Sequence, residues 1–324
     1  MMTTFTKGLT GLALAAAMAL PGSAAMAQDY PSHEINILAA APAGSSGDAI
    51  VRILAEAMSR RLGQPVLVEN KPGADGNMAA DNVVRSDPDG YTLLFNYTGH
   101  VINPSLFSSM PFDTVNDFTP ISLVATNWTL LVVNADSKAQ TIDDLIAEAK
   151  AEPGALSVGY LQGSATHMAS ELFIDETGID VLRIPYKSNN QAMTDLLGGR
   201  ISFTFSTIAS IRGQLDAKAV RALGVTGKER SPLLPDVPAI AEKIPGYEAT
   251  GWYGLVGPKD LPPDIVAKLN TTVNEVLTDP AVVEKLNTFG TAPTPSTAEE
   301  FTAFIASEIP RWQAVAEKAG ITKQ

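Results

Sequence analysis

The sequence predicts an α/β protein built as two lobes, and three observations carry that prediction. Short apolar runs alternate with amphipathic stretches at helical spacing through most of the chain, the pattern of largely parallel sheets covered by helices. The 324 residues contain no cysteine, so no disulfide staples the fold and the cores must hold it. Removing the leader described below leaves just under 300 residues, enough for two ordinary domains, each with its own hydrophobic centre.

The first lobe opens with a strand at 35–39. A helix follows at 48–62, with Ile50, Ile53, Leu54, Ala57 and Met58 on one face. Between them lies the small-residue loop Ala41-Pro42-Ala43-Gly44-Ser45-Ser46-Gly47. A second strand at 66–69 leads through Lys71-Pro72-Gly73 to a helix at 78–85, and the turn Asp87-Pro88-Asp89-Gly90 precedes a third strand at 91–97. The second lobe repeats the order. A strand at 130–134 leads to a helix at 141–151, with Thr141 as N-cap and Asp143 and Asp144 in its first turn. A strand at 156–160, the loop at Gly163-Ser164, a helix at 166–177, and elements at 183–185, 190–197, 201–205 and 220–225 continue it. The proline-rich stretch 231–238 is a connector. The chain returns to helix at 264–277, 281–289 and 297–319, the last expected to kink or break at Ile309-Pro310. These elements divide the chain into a leader at 1–27, a first lobe of 28–126 plus 246–324, and a second lobe of 127–245, with two crossings between the lobes.

The leader carries one charged side chain, Lys7, an apolar run from about Leu9 to Leu20, and Ala25-Met26-Ala27 before the expected cut. That is the form of a secretory signal peptide, too short in its apolar part for a spanning helix. Export to the periplasm follows, with Gln28 as the first mature residue. The formal charge of −12 becomes −13 without Lys7. Such a surface repels nucleic acid and anionic lipid, and any site for an anion must work through local donors.

Several segments, in order, resemble the Bug-type periplasmic binding proteins of tripartite tricarboxylate transporters. They are Leu62-Gly63-Gln64-Pro65-Val66, Val68-Glu69-Asn70-Lys71-Pro72-Gly73-Ala74, Pro88-Asp89-Gly90-Tyr91-Thr92-Leu93 and Asp117-Phe118-Thr119-Pro120. In the second lobe come Gly163-Ser164 with His167, Glu171-Leu172-Phe173, Pro185-Tyr186-Lys187, Asp195-Leu196-Leu197-Gly198-Gly199 and Leu234-Pro235-Asp236-Val237-Pro238. The resemblance implies a Venus-flytrap fold in which crossing hinge segments let two lobes close on a ligand. It also implies a small organic acid as ligand, integral membrane transporter subunits as partners, and no cofactor. The chain is expected to act as a monomer. A sensor docking to a membrane histidine kinase shares the fold, and neighbouring genes would separate the two roles.

Candidate ligand contacts lie where open sheets bind ligands, beyond the carboxyl ends of strands. In the first loop they are Pro42, Ala43, Gly44, Ser45 and Asp48; all but Pro42, which has no N–H, carry backbone N–H groups that precede a helix and suit a carboxylate. Asp48 serves equally as a plain cap. Relatives resembling this chain usually carry Phe where Ala41 stands and a second Gly where Ser45 stands, so the side-chain volume here is reduced. In the second lobe the equivalent loop offers Gly163, Ser164, Ala165, Thr166 and His167. Ser164 can also be an N-cap, and His167 suits a structural role one turn into the helix. Tyr97 and Thr98 end a first-lobe strand, although a core role suits Tyr97 as well. Ser188, Asn189 and Asn190 precede a second-lobe helix, and the asparagines depart from the Gly-Ser-Ala-Pro-like stretch common in relatives. Ser206, within Phe205-Ser206-Thr207, ends a second-lobe strand. The three histidines, His33, His100 and His167, are scattered, so no metal site is expected. No hydrolase, nucleotide-binding or zinc-protease motif occurs, and an esterase use of Ser164 with His167 lacks an orienting acid.

Overall fold

The structure, a computed structural model, describes Met1 and residues 30–162 and 164–323. The signal peptide apart from Met1, the expected cut before Gln28, and Gly163 lie outside the described residues. In chain order the elements begin β1 (Ile35–Ala39), α1 (Ser46–Leu62), β2 (Val66–Asn70), α2 (Asn77–Val84), β3 (Thr92–Tyr97), α3 (Gly99–Leu106) and β4 (Phe118–Asn127). Then come β5 (Thr129–Asn134), α4 (Ile142–Ala151), β6 (Ser157–Leu161), α5 (Ala165–Thr177), β7 (Leu182–Tyr186), α6 (Asn189–Leu197), β8 (Phe203–Thr207), α7 (Ile208–Asp216) and β9 (Val220–Val225). The chain ends with β10 (Gly251–Pro258), α8 (Pro263–Leu277), α9 (Pro280–Thr288), β11 (Thr291–Pro293) and α10 (Ala298–Lys318).

Two sheets form. One has the order β11-β4-β10-β3-β1-β2 and the other β7-β6-β8-β5-β9. They are mixed rather than uniformly parallel: β10, β11 and β5 run against their neighbours, and for β10 and β5 the cause is the same. β10 runs antiparallel to β3 and β4, and β5 runs antiparallel to β8 and β9. Each is the strand with which the chain enters its sheet from the other one. A chain arriving from the opposite lobe comes in at the carboxyl ends of the resident strands, so it runs back against them.

Each sheet is covered on both faces, as βαβ crossovers require. Ile37, Phe95 and Leu255 meet Leu54, Leu269 and Val273 on one face of the first sheet. Leu130, Val132 and Val225 meet Leu196 and Ile211 on one face of the second. The remaining faces share one apolar cluster that runs from Leu94 and Val101 through Trp252 and Phe301 to Phe173 and Phe203. α10 is the element that joins them, since it packs against both α3 and α5. The expected break at Pro310 is corrected here: α10 is one helix through that residue. Proline removes one hydrogen bond from the ladder, while Ile305, Trp312, Val315 and Ala316 stay buried on either side of it and hold the helix to the core. β4, β10, α3 and α7 were not anticipated. Pro120, Pro104 and the glycines at 251, 254 and 257 interrupt the local patterns by which such elements are recognised. No helix among the described residues is long and apolar enough to cross a membrane.

Candidate functional site

The carboxyl ends of β1, β3 and β4 in the first sheet and of β8 in the second open onto one cleft of about 320 Å³. Ala41, Pro42, Ser45, Ser46 and Gly47 come from the β1–α1 loop and the start of α1, and Tyr97 and Thr98 from the end of β3. Ala165, Thr166 and Thr207 come from the other lobe, and Asn127, Thr129, Gly251, Trp252 and Tyr253 from the crossings. A larger hollow of about 470 Å³ lies elsewhere, beside Arg61 and Glu275, which already pair with each other at 2.6 Å. The cleft is the better site because strand ends and helix starts from both sheets converge on it.

Two helix N-termini face each other's lobe in the same way. Ser45 caps α1, its Oγ accepting from the N–H of Asp48 at 3.3 Å. Ser164 caps α5, its Oγ accepting from the N–H of His167 at 3.2 Å. In both helices the cap satisfies the third N–H. The first two, on Ser46 and Gly47 and on Ala165 and Thr166, have no acceptor within their helices. Those four residues are the ones that line the cleft. No lining residue is charged at neutral pH: burial pushes the phenols of Tyr97 and Tyr253 up to about 12, so both stay protonated. The site therefore offers N–H groups, threonine hydroxyls and aromatic surface, with the positive ends of helix dipoles in place of cationic side chains.

The other residues expected at the site are placed as follows. Ala43 and Gly44 are exposed in the first loop, beside the lining residues rather than among them. Asp48 is buried and turned back from the cleft, its carboxylate accepting from the Gly44 N–H at 2.8 Å, Arg52 Nε at 2.9 Å and Asn70 Nδ2 at 2.8 Å. Burial raises its pKa, but these donors and the Arg52 charge outweigh burial and hold it below the usual carboxylate value. It fixes the loop that carries Ser45. Ser164 also donates to the Leu161 carbonyl at 2.6 Å and shares a hydrogen bond of 2.8 Å with Thr166. His167 is buried, stacked on Tyr160 at 4.1 Å, with Nε2 3.6 Å from Glu171. Ser188 caps α6 beside Asn189 and Asn190, and these three follow the edge strand β7, away from the cleft lining. Ser206 is buried within β8, and its neighbour Thr207 forms the wall, since successive strand residues face opposite ways. Sequence reasoning missed Asn127, Thr129, Gly251, Trp252 and Tyr253. The sequence signal for the last three was an aromatic pair between glycines, Gly251-Trp252-Tyr253-Gly254, just after the proline-rich connector. Among the described residues no cluster of three or more acidic or histidine side chains is placed to hold a metal.

Known proteins share this fold. A Pseudomonas sp. (strain P51) protein, described as a UPF0065 protein in the tcbD-tcbE intergenic region, is 37% identical over 309 residues, covering 94% of this chain and 91% of the relative. The structure of the periplasmic binding protein BugD matches with a TM-score of 0.73 at 31% identity, covering 91% of this chain and 100% of that one. An R. palustris protein solved with adipate matches with a TM-score of 0.77 at 32% identity, covering 91% and 100%. Residues 50–321 match the family described as Tripartite tricarboxylate transporter family receptor. A chain that shares this family's sequence pattern and its two sheets about one cleft belongs to it, and is a two-lobed solute-binding receptor of the periplasmic binding protein kind.

Proposed function

We propose that this protein captures a small organic acid in the interlobe cleft and delivers it, as an exported monomer, to the membrane subunits of a tripartite tricarboxylate-type transporter. The lobes that would close are residues 28–126 with 246–324, and residues 127–245. The observation that carries the reading is the pair of capped helix starts. α1 and α5 belong to different lobes, and each presents two N–H groups to the same uncharged cleft. A dicarboxylate spanning the lobes would meet donors at both ends and draw them together. The adipate held by a 32% identical relative supports a dicarboxylate.

A thermal-shift screen against mono-, di- and tricarboxylates tests this, because a ligand that binds only the folded state raises Tm by mass action. At least one carboxylate should raise it, and a flat response across all three classes would end the proposal. The affinity of that ligand should change less than about threefold between low and moderate ionic strength, since the donors are neutral and become enclosed when the lobes close, each bond to the anion contributing roughly 1.5–3 kcal/mol. A tenfold loss measured by calorimetry would show that distributed charge does the capturing instead.

Ligand size is a separate matter. Ala41 lines the cleft and is 5% exposed, and its Cβ lies 2.9 Å from where a Cβ on Gly47 would stand. We propose that the small side chain leaves room for ligand carbon, favouring a longer or aromatic dicarboxylate. Filling such room removes apolar surface from water at about 25 cal/mol per Å². In the variant Ala41→Phe, affinity for adipate or terephthalate should fall more than affinity for succinate. Equal losses for all three would place Ala41 in packing alone.

A further inference from the structure

Asn127 is the last residue of β4, where the chain crosses to the second sheet, and it pairs with Gly251, where the chain has crossed back. Its carboxamide, Oδ1 foremost, occupies the space where a side chain on Gly251 would begin. A Cβ built there would stand 1.9 Å from Oδ1, 2.8 Å from Cγ and 3.2 Å from Nδ2. Oδ1 is buried and accepts no hydrogen bond, while the residue lines the cleft together with Thr129 and Gly251. A buried acceptor without a donor costs about 1–3 kcal/mol. A carboxylate is an acceptor only and does nothing for it. The group that would satisfy it is a donor on the ligand, and the terminal torsion of asparagine is soft enough to turn the amide edge toward one without moving the backbone.

Resting on the reading of the cleft as a carboxylate site, we propose that Asn127 is its specificity-determining residue for a hydroxyl or amino substituent on the carbon chain of the ligand. The capped helix starts hold the carboxylates. The carboxamide at the crossing, which both accepts and donates, reads the substituent between them. A hydroxyl matches it best, because it can donate to Oδ1 and accept from Nδ2. Sites built around a hydrogen bond to a substrate hydroxyl reject the analogue lacking it, since the protein group is then left unpaired.

Calorimetry with matched pairs differing by one hydroxyl tests the assignment: succinate and malate, adipate and 2-hydroxyadipate, terephthalate and 2-hydroxyterephthalate. The wild-type protein should prefer the hydroxylated member of at least one pair by tenfold or more. In Asn127→Leu that preference should shrink to within twofold. Gly251→Ala, which puts a methyl where Oδ1 now rests and leaves Asn127 itself intact, should reduce the same preference, so a folding failure in one variant leaves the other to decide. Wild-type protein that binds dicarboxylates without regard to the hydroxyl overturns the role of Asn127 and leaves the carboxylate reading standing. A preference that survives both substitutions overturns that role in the same way. Wild-type protein that binds no member of any pair overturns both.

Discussion

Replacing Trp252 by alanine is expected to lower the free energy of unfolding by about 4 kcal/mol, the range for deleting a large buried aromatic. Trp252 is 1% exposed and stands where β10 meets α10. Its ring meets Phe301 edge-on at 5.6 Å and Phe304 at 5.7 Å, contacts that add to the area it buries. Its backbone N–H donates to Thr98 Oγ1 at 2.9 Å, which ties β10 to the start of α3 and to the cleft wall. Because the apolar cluster around it runs from one sheet to the other, the cavity left by alanine cannot be closed by moving one element. Urea melts of Trp252→Ala should show the loss, alongside Leu67→Ala as a control at a position that is 47% exposed. A cost under about 1 kcal/mol would mean that the ring is not part of the shared core.

Acid should weaken the fold through His100, by roughly 2–3 kcal/mol between pH 8 and pH 4.5. The ring is buried in α3 against Phe118 at 4.9 Å and Phe112 at 6.3 Å. Burial is the main influence and pushes its pKa down to about 4, against a smaller upward effect of the backbone hydrogen bond with Thr114. Nε2 has no partner, so it is Nδ1–H that serves Thr114 and the ring is neutral. The sign follows from proton counting. Below about 6.5 the unfolded chain takes up a proton that the native state refuses until about 4, so stability falls as pH falls through that window and levels off below it. His100→Gln removes the titration. Its unfolding free energy should drop less between pH 8 and pH 4.5 than that of the wild type, and equal drops would place the acid sensitivity in other groups.

Much of the candidate site was legible because it is local. A serine just before a helix accepts from the third N–H and leaves the first two free, whatever the rest of the chain does. Ser164 with Ala165 and Thr166, and the small polar loop before α1, could therefore be recognised from a strand, a small polar loop and an amphipathic run, although α1 was expected to begin at Asp48 and is capped by Ser45 instead. The same locality explains the two sheets and most helices, whose periodicities are written within ten or twenty residues. Asp48 marks the limit of that reasoning. Its position at the start of α1 was plain, but whether its carboxylate faces a ligand or the protein depends on Arg52 and Asn70, and these donors draw it inward.

Tertiary structure alone decided the rest, since those features join residues far apart in the chain. Asn127 meets Gly251 only because two crossing strands pair. Thr207 rather than Ser206 forms the cleft wall because of the register and facing of β8, which one residue of slip would reverse. Pro310 stays helical because side chains on both sides of it are held by the core, a force the helix sequence does not contain. The sequence by itself determined most of the elements, the caps at Thr141 and Ser164 and the family; packing between distant segments determined which side chains face the cleft, because the direction of a side chain is set by its neighbours in space.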